Sequence, residues 1–143
     1  MDTTKEVMQG ILRRESRSLL QYAGEAFPWT TSAQKETLAS LQKLIEEERA
    51  AAEHLAGWLA KKRMSPTYLG PYPSNFTNVN YVTLAFFLPL LVEYQKQGVA
   101  DLERDLPKIT DADSAAMVRR ILETKRRHLQ VLQELVGGKP QAA

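Results

Sequence analysis

Apolar residues return every three or four positions along nearly the whole chain, and nowhere do they alternate with polar ones long enough to make a strand. This spacing predicts four helices. The first covers about 3–26 and ends at "FPWTTS", residues 27–32, where Thr31 or Ser32 can cap the second. The second runs over about 32–63. It is followed by "MSPTYLGPYPSNFTN", whose three prolines and glycine cannot continue a helix. The third spans about 79–106. Pro89 inside it predicts a kink or a carbonyl without its usual donor. Pro107 and "TDAD" precede the fourth, about 111–136, and the glycine pair after it leaves 137–143 as a loose tail.

Connection lengths predict how these helices lie. Short links make the first and second helices antiparallel, and likewise the third and fourth. The link between the second and third has about 16 residues. At roughly 3.3 Å per residue it reaches about 50 Å. The second helix, rising about 1.5 Å per residue, is roughly 48 Å long. The link can therefore run the length of the molecule and leave the second and third helices parallel. The alternative is a packed strap of its tyrosines and prolines in a plain up-down-up-down order. All 143 residues fit one all-α domain.

Polar residues stand inside the apolar stripes. The first helix reads Met8, Ile11 or Leu12, Glu15, Leu19, Tyr22, Ala26. The second reads Leu38, Leu41, Ile45, Glu48, Ala52, Leu55, Leu59. The fourth reads Met117 or Val118, Ile121, Lys125, His128, Leu132, Leu135. The third is apolar nearly all round from 81 to 92, and Glu93 is the first charge after that run. A charge facing a core needs a partner, because an isolated buried ion costs several kcal/mol or more. With turn points near residues 29 and 109, Glu15 is level with about residue 44, within a turn of Glu48. Glu93 is level with about residue 125, beside Lys125 and His128. His54 falls off the stripe among Glu47 and Lys61, so it is expected at the surface.

Composition narrows the chemistry. There is no cysteine, which removes disulfides, thiolate metal sites and cysteine nucleophiles. The net charge is +2 with the two signs intermixed, too weak and too mixed to argue for nucleic acid, so no nucleic-acid partner is expected. The N-terminus lacks the apolar core of a signal peptide, and the run 81–92 is too short to span a bilayer. The expectation is a cytoplasmic protein with no membrane partner. No glycine pattern builds a phosphate loop, and no Ser-His-Asp arrangement has support. A third helix apolar on more than one face predicts a homodimer.

Four short motifs, in order, resemble the ferritin-like superfamily in its rubrerythrin and bacterioferritin form. The first helix carries Glu15 with Tyr22 seven residues later. The second carries "ERAAAEHLAGWL", similar to the family's Glu-x-x-His run, with Glu48 at the glutamate but Ala51 where the histidine stands. The third offers Glu93. The fourth carries "ETKRRHLQVLQEL", with His128 at the motif histidine and Lys125 where its glutamate stands. The resemblance implies a ferritin-like four-helix bundle with one long crossover between its second and third helices. It also implies a metal centre reduced to Glu15, Glu48, Glu93 and His128, because the family pair takes one Glu from each of two helices and Glu-x-x-His from the other two.

Charge counting leaves two states open. Three glutamates and Lys125 sum to −2, which one divalent ion (Fe, Zn or Mn) neutralises with His128 neutral. Without metal, a protonated His128 leaves −1. The function expected is therefore a ferritin-like bundle protein that is not a working di-iron ferroxidase. Two other readings stand beside it: a redox or oxygen-handling enzyme with one metal, and a dimeric interaction module. No substrate is named by the sequence.

Overall fold

The computed structural model describes residues 2–26 and 28–137. Met1, Phe27 and 138–143, all but the first residue of the tail expected at 137–143, lie outside the described residues. The described chain is helical, with five α-helices: α1 (Thr4–Ser16), α2 (Leu19–Glu25), α3 (Lys35–Lys61), α4 (Leu84–Asp105) and α5 (Ala112–Val136). No strand occurs among the described residues. One isolated parallel bridge joins Trp29 to Thr83, through Trp29 N–H to the Val82 carbonyl and Leu84 N–H to the Trp29 carbonyl, both 2.9 Å. It ties the α2–α3 link to the start of α4. No described helix is long and apolar enough to cross a membrane.

Helix ends follow local chemistry. Thr83 and Asp111 cap α4 and α5 by accepting from Phe86 N–H (3.2 Å) and Ser114 N–H (2.9 Å). Pro89 sits on the exposed face of α4. It has no N–H to give the Ala85 carbonyl, and Ala85 is exposed too.

The first predicted helix is broken, a correction to the continuous 3–26 reading. α1 stops at Ser16, and Ser18 turns extended (φ −72°, ψ 162°) to cap α2 by accepting from Gln21 N–H at 3.1 Å. A serine hydroxyl competes with the helix for the same backbone donors, and here it wins. Ser18-x-x-Gln21 is half of a capping box, so the break had a readable signal.

The core divides into two apolar clusters. One joins Leu20, Leu41, Ile45, Phe87, Leu91 and Leu132; the other joins Met8, Ile11, Leu55, Leu59, Leu102 and Val118. The starts of α3 and α4 share the first cluster and their later turns share the second, so these two helices run the same way. α5 and the α1–α2 arm run against them. The segment 62–83 must therefore travel from one end of the molecule to the other. The first arm holds it down: Gln9 Nε2 donates to the Met64 carbonyl (3.0 Å), Arg13 Nε to that of Tyr68 (3.1 Å) and Arg17 Nε, just past α1, to that of Gly70 (2.8 Å). Gly70 takes a left-handed turn at φ 83°, a conformation that costs a side chain about 1–2 kcal/mol.

Candidate functional site

Between the two apolar clusters lies a layer of buried polar side chains: Glu15, Gln21, Glu48, Gln95, Lys125 and His128. Each helical arm contributes to it, and each contribution follows from helical phase. Glu48 continues the stripe of Leu41, Ile45, Ala52 and Leu55 on α3. Lys125 and His128 continue that of Ile121, Leu122, Val131 and Leu132 on α5.

Lys125 is the centre of the layer. Its Nζ lies 3.1 Å from Glu48 Oε2 and 3.2 Å from Glu15 Oε1. The three side chains are 5%, 4% and 8% exposed for Lys125, Glu48 and Glu15. Glu48 has further donors: the Ser18 hydroxyl and Gln21 Nε2 (3.1 Å) both reach its Oε1. Gln21 also donates to the Ile45 carbonyl at 2.9 Å, and Arg49 Nε braces its Oε1 at 3.4 Å. The break in the first helical arm thus turns Ser18 and Gln21 onto Glu48. From α4, Gln95 Nε2 donates to the Lys125 carbonyl at 3.3 Å.

Two carboxylates share one ammonium, and they are not equivalent. Glu48 accepts from Ser18, Gln21 and Lys125, whereas Glu15 has Lys125 as its side-chain partner. Burial pushes the Glu15 carboxyl above its ordinary value of 4.5; Lys125 pulls it down and Glu48 pushes it up, and the net shift is upward. For Lys125, burial favours losing the proton, but Glu15 and Glu48 together outweigh it and hold the ammonium above its ordinary 10.5.

The raised Glu15 gives a signed prediction. The folded state binds this proton more tightly than the unfolded chain, so the contribution is complete below about pH 4.5 and is lost as pH rises through the folded value. Glu15→Gln removes the titration. The melting temperature of Glu15→Gln relative to the native protein is expected to climb as pH rises from 4 to 8. Melts across that range check it; a flat or falling difference means that Glu15 ionises at least as readily folded as unfolded.

Gly98 makes room for the lysine stem. A Cβ at Gly98 would stand 2.8 Å from Lys125 Cε and 3.2 Å from its Cδ. In an ordinary helix interior, Gly→Ala stabilises by about 1 kcal/mol. Here the stem is anchored at its far end by two carboxylates, so Gly98→Ala is expected to destabilise by about 1–3 kcal/mol, as overpacking does. In a Lys125→Ala background the same change should stabilise. Denaturant titrations of the single and double variants read both signs.

The remaining candidates fall elsewhere. Glu93, expected to face the centre, has a side chain 71% exposed and pairs with Lys96 at 3.4 Å. The inward position on α4 belongs to Gln95, because the buried row runs Leu88, Leu91, Val92, Gln95, Leu102. His128 is buried, but its Nε2 meets Glu47 Oε1 at 3.0 Å and not the Lys125 cluster. Burial lowers its pKa below 6.5, with Glu47 opposing, so it is held neutral at pH 7. Tyr22 points toward the end of the molecule, donating to Asn80 Oδ1 at 2.6 Å and stacking edgewise on Tyr72. Ala51 is half-buried and His54 is exposed.

Among the described residues no group of three or more His, Asp or Glu side chains is placed to hold a metal ion. The donor set also does not suit one, since a protonated lysine has no lone pair and stands between the two carboxylates. Beside the cluster opens a cavity of about 350 Å³, bounded by α1, α2, α4, Lys125 of α5 and the segment 62–83. No protein family, no curated protein and no solved structure matches this chain.

Proposed function

We propose that this chain is a ferritin-like four-helix bundle in which a lysine replaces the metal, and that it is not a di-iron ferroxidase. α1 and α2 together form one arm of the bundle, and the segment 62–83 is its long crossover. The observation that carries this reading is the Lys125 ammonium, bonded to Glu15 and Glu48 at 3.2 and 3.1 Å in the polar layer between the two apolar clusters. Those positions are the ones at which the sequence resembles the family's ligands. An internal cation fills the role of a metal electrostatically without redox chemistry or Lewis acidity. Exposed Glu93 and Glu47-bound His128 support the same reading, because neither reaches the carboxylate pair.

The test is the metal content of protein purified without chelators and then offered Fe, Zn and Mn. Substoichiometric metal throughout, with a melting temperature unmoved by each ion, is expected. One tightly held ion per chain overturns the proposal.

The homodimer rests on the outer face of α4. Phe86 is 60% exposed there, beside exposed Ala85 and Pro89. Sedimentation is expected to show dimers that Phe86→Lys dissociates; a native protein monomeric at high micromolar concentration removes the idea.

A further inference from the structure

The cavity beside the ion cluster is polar at its mouth and apolar within. Arg13 and Gln97 are exposed at the mouth, and Glu15 and Lys125 are buried at the inner end. The walls between are Leu19, Leu20, Phe76 and Leu91, with Leu69 and Pro71 from the crossover along one side. At roughly 30 Å³ per water-sized atom, about 350 Å³ holds about a dozen non-hydrogen atoms. Apolar walls with a few placed polar groups are the usual form of a small-molecule site.

The charge around this space is positive. Arg13, Arg14, Arg17 and Lys125 line it against Glu15 and Asp101. Arg14 pairs with Asp105 at 2.6 Å, Asp101 with Arg104 at 3.0 Å, and Lys125 with both Glu15 and Glu48. Arg13 and Arg17 stand apart: among the described residues neither forms an ion pair. Their bonds go to carbonyls, from Arg13 Nε to Tyr68, from Arg17 Nε to Gly70 and from Arg17 Nη1 to Ser16. A carbonyl fixes a guanidinium without neutralising it, and terminal N–H groups remain to donate. The two arginines are one helical turn apart, and their crossover partners are two residues apart, so both charges gather on one side of the mouth. Burial pushes Glu15 toward its neutral form, so the inner end does little to offset them.

Two guanidiniums at the entrance of an apolar space suit an anionic head on an apolar body, and their planar forks match a carboxylate. A singly charged head also gives up less hydration there than a phosphate dianion. We infer that this cavity binds a medium-chain carboxylate of about eight to ten carbons, its head on Arg13 and Arg17 and its body against Leu20, Phe76 and Leu91. The site goes beyond the bundle reading: it requires the cavity and the two arginines but not descent from a metal protein. A change in metal content leaves it untouched.

The experiment uses the full chain at pH 7 and three probes of one shape: octanoate, octanol and octylamine, each below its micelle-forming concentration. Calorimetry gives the affinities and backbone amide shifts give the place. Octanoate is expected to bind about tenfold more tightly than octanol, the lower end of what a charge-assisted hydrogen bond supplies, because the mouth is open to water. Octylamine binds more weakly than both. Added salt narrows the advantage of octanoate and leaves octanol in place. From butanoate upward, each added carbon tightens binding about three- to fourfold, and the gain stops near about ten carbons, when the cavity is full. Shifts concentrate at Arg13, Arg17, Leu91 and Gly98. These readouts need no variant, and they decide the matter if the variant fails to fold. Arg13→Gln combined with Arg17→Gln brings octanoate down to the level of octanol, while unchanged octanol binding shows that the cavity is intact. Preference for octylamine, equal binding of octanoate and octanol, shifts located away from α1, α4 and the crossover, binding by none of the three, or an octanoate preference that survives in the double variant each overturns the assignment.

Discussion

Lys125→Ala is expected to destabilise the protein by about 3–5 kcal/mol, the cost of removing one partner from a buried ion network. The reason is what remains. Glu15 and Glu48 keep their burial, lose the cation between them and repel each other. Part of the loss is recovered by protonating Glu15, whose carboxyl burial already pushes up, so the deficit should shrink as pH falls. A second variant separates charge from packing. Replacing Glu15, Glu48 and Lys125 together with methionine removes every charge and keeps most of the volume. Buried ion groups exchanged wholesale for apolar ones are often neutral or better. The triple variant should therefore be more stable than Lys125→Ala alone. Lys96→Ala serves as the surface control, with Lys96 about half exposed in its pair with Glu93, and should stay within about 0.5 kcal/mol of native. Urea denaturation of the four proteins decides the matter. A loss below about 1 kcal/mol for Lys125→Ala would mean that the cluster is solvated and its ion pairs are weak.

The second large effect is a gain of metal. Lys125→Glu puts a third carboxylate where the ammonium lies, and Ala51→His adds an imidazole one turn after Glu47 and Glu48 on α3. The double variant restores both Glu-x-x-His runs that the sequence resembles. Without metal it should be markedly less stable than the native protein, because three buried carboxylates have no cation. With zinc, iron or manganese the deficit should be recovered by mass action, by about 4 kcal/mol once free metal exceeds the dissociation constant a thousandfold. The native protein should show no such rise. Melts with and without each ion, together with bound metal per chain, give the answer. No metal gain would mean that the α3 and α5 positions do not converge on one ion, and the descent proposed from a metal centre would lose its support. Glu93 enters neither outcome, since it points to water.

What could be read from the chain was local. The all-helical class and the inward phase of Glu15, Glu48, Lys125 and His128 follow from a 3.6-residue period, which each segment carries within itself. The length of the segment 62–83 allowed α3 and α4 to run the same way but left a packed strap open, and the two apolar clusters decided between them. The break at Ser18 was legible in principle as half a capping box, but the apolar stripe around it continues unbroken and outweighed it. Other features had no local signature. Whether Glu93 or Gln95 faces inward depends on how α4 is rotated against α5 and α2, and a segment apolar on nearly all sides leaves that rotation to the neighbours. The partner of His128 was decided by the facing turn of α3, which presents Glu47 and not Glu48. Gly98 matters only because the Lys125 stem crosses it from another helix. Most of all, the unequal standing of two glutamates exists only in three dimensions. Glu48 gathers donors from Ser18, Gln21 and Lys125, while Glu15 faces an apolar cavity, and the bonds that make the difference join residues 27 to 110 positions apart. Helical phase says which side chains turn inward; only packing decides what they meet there.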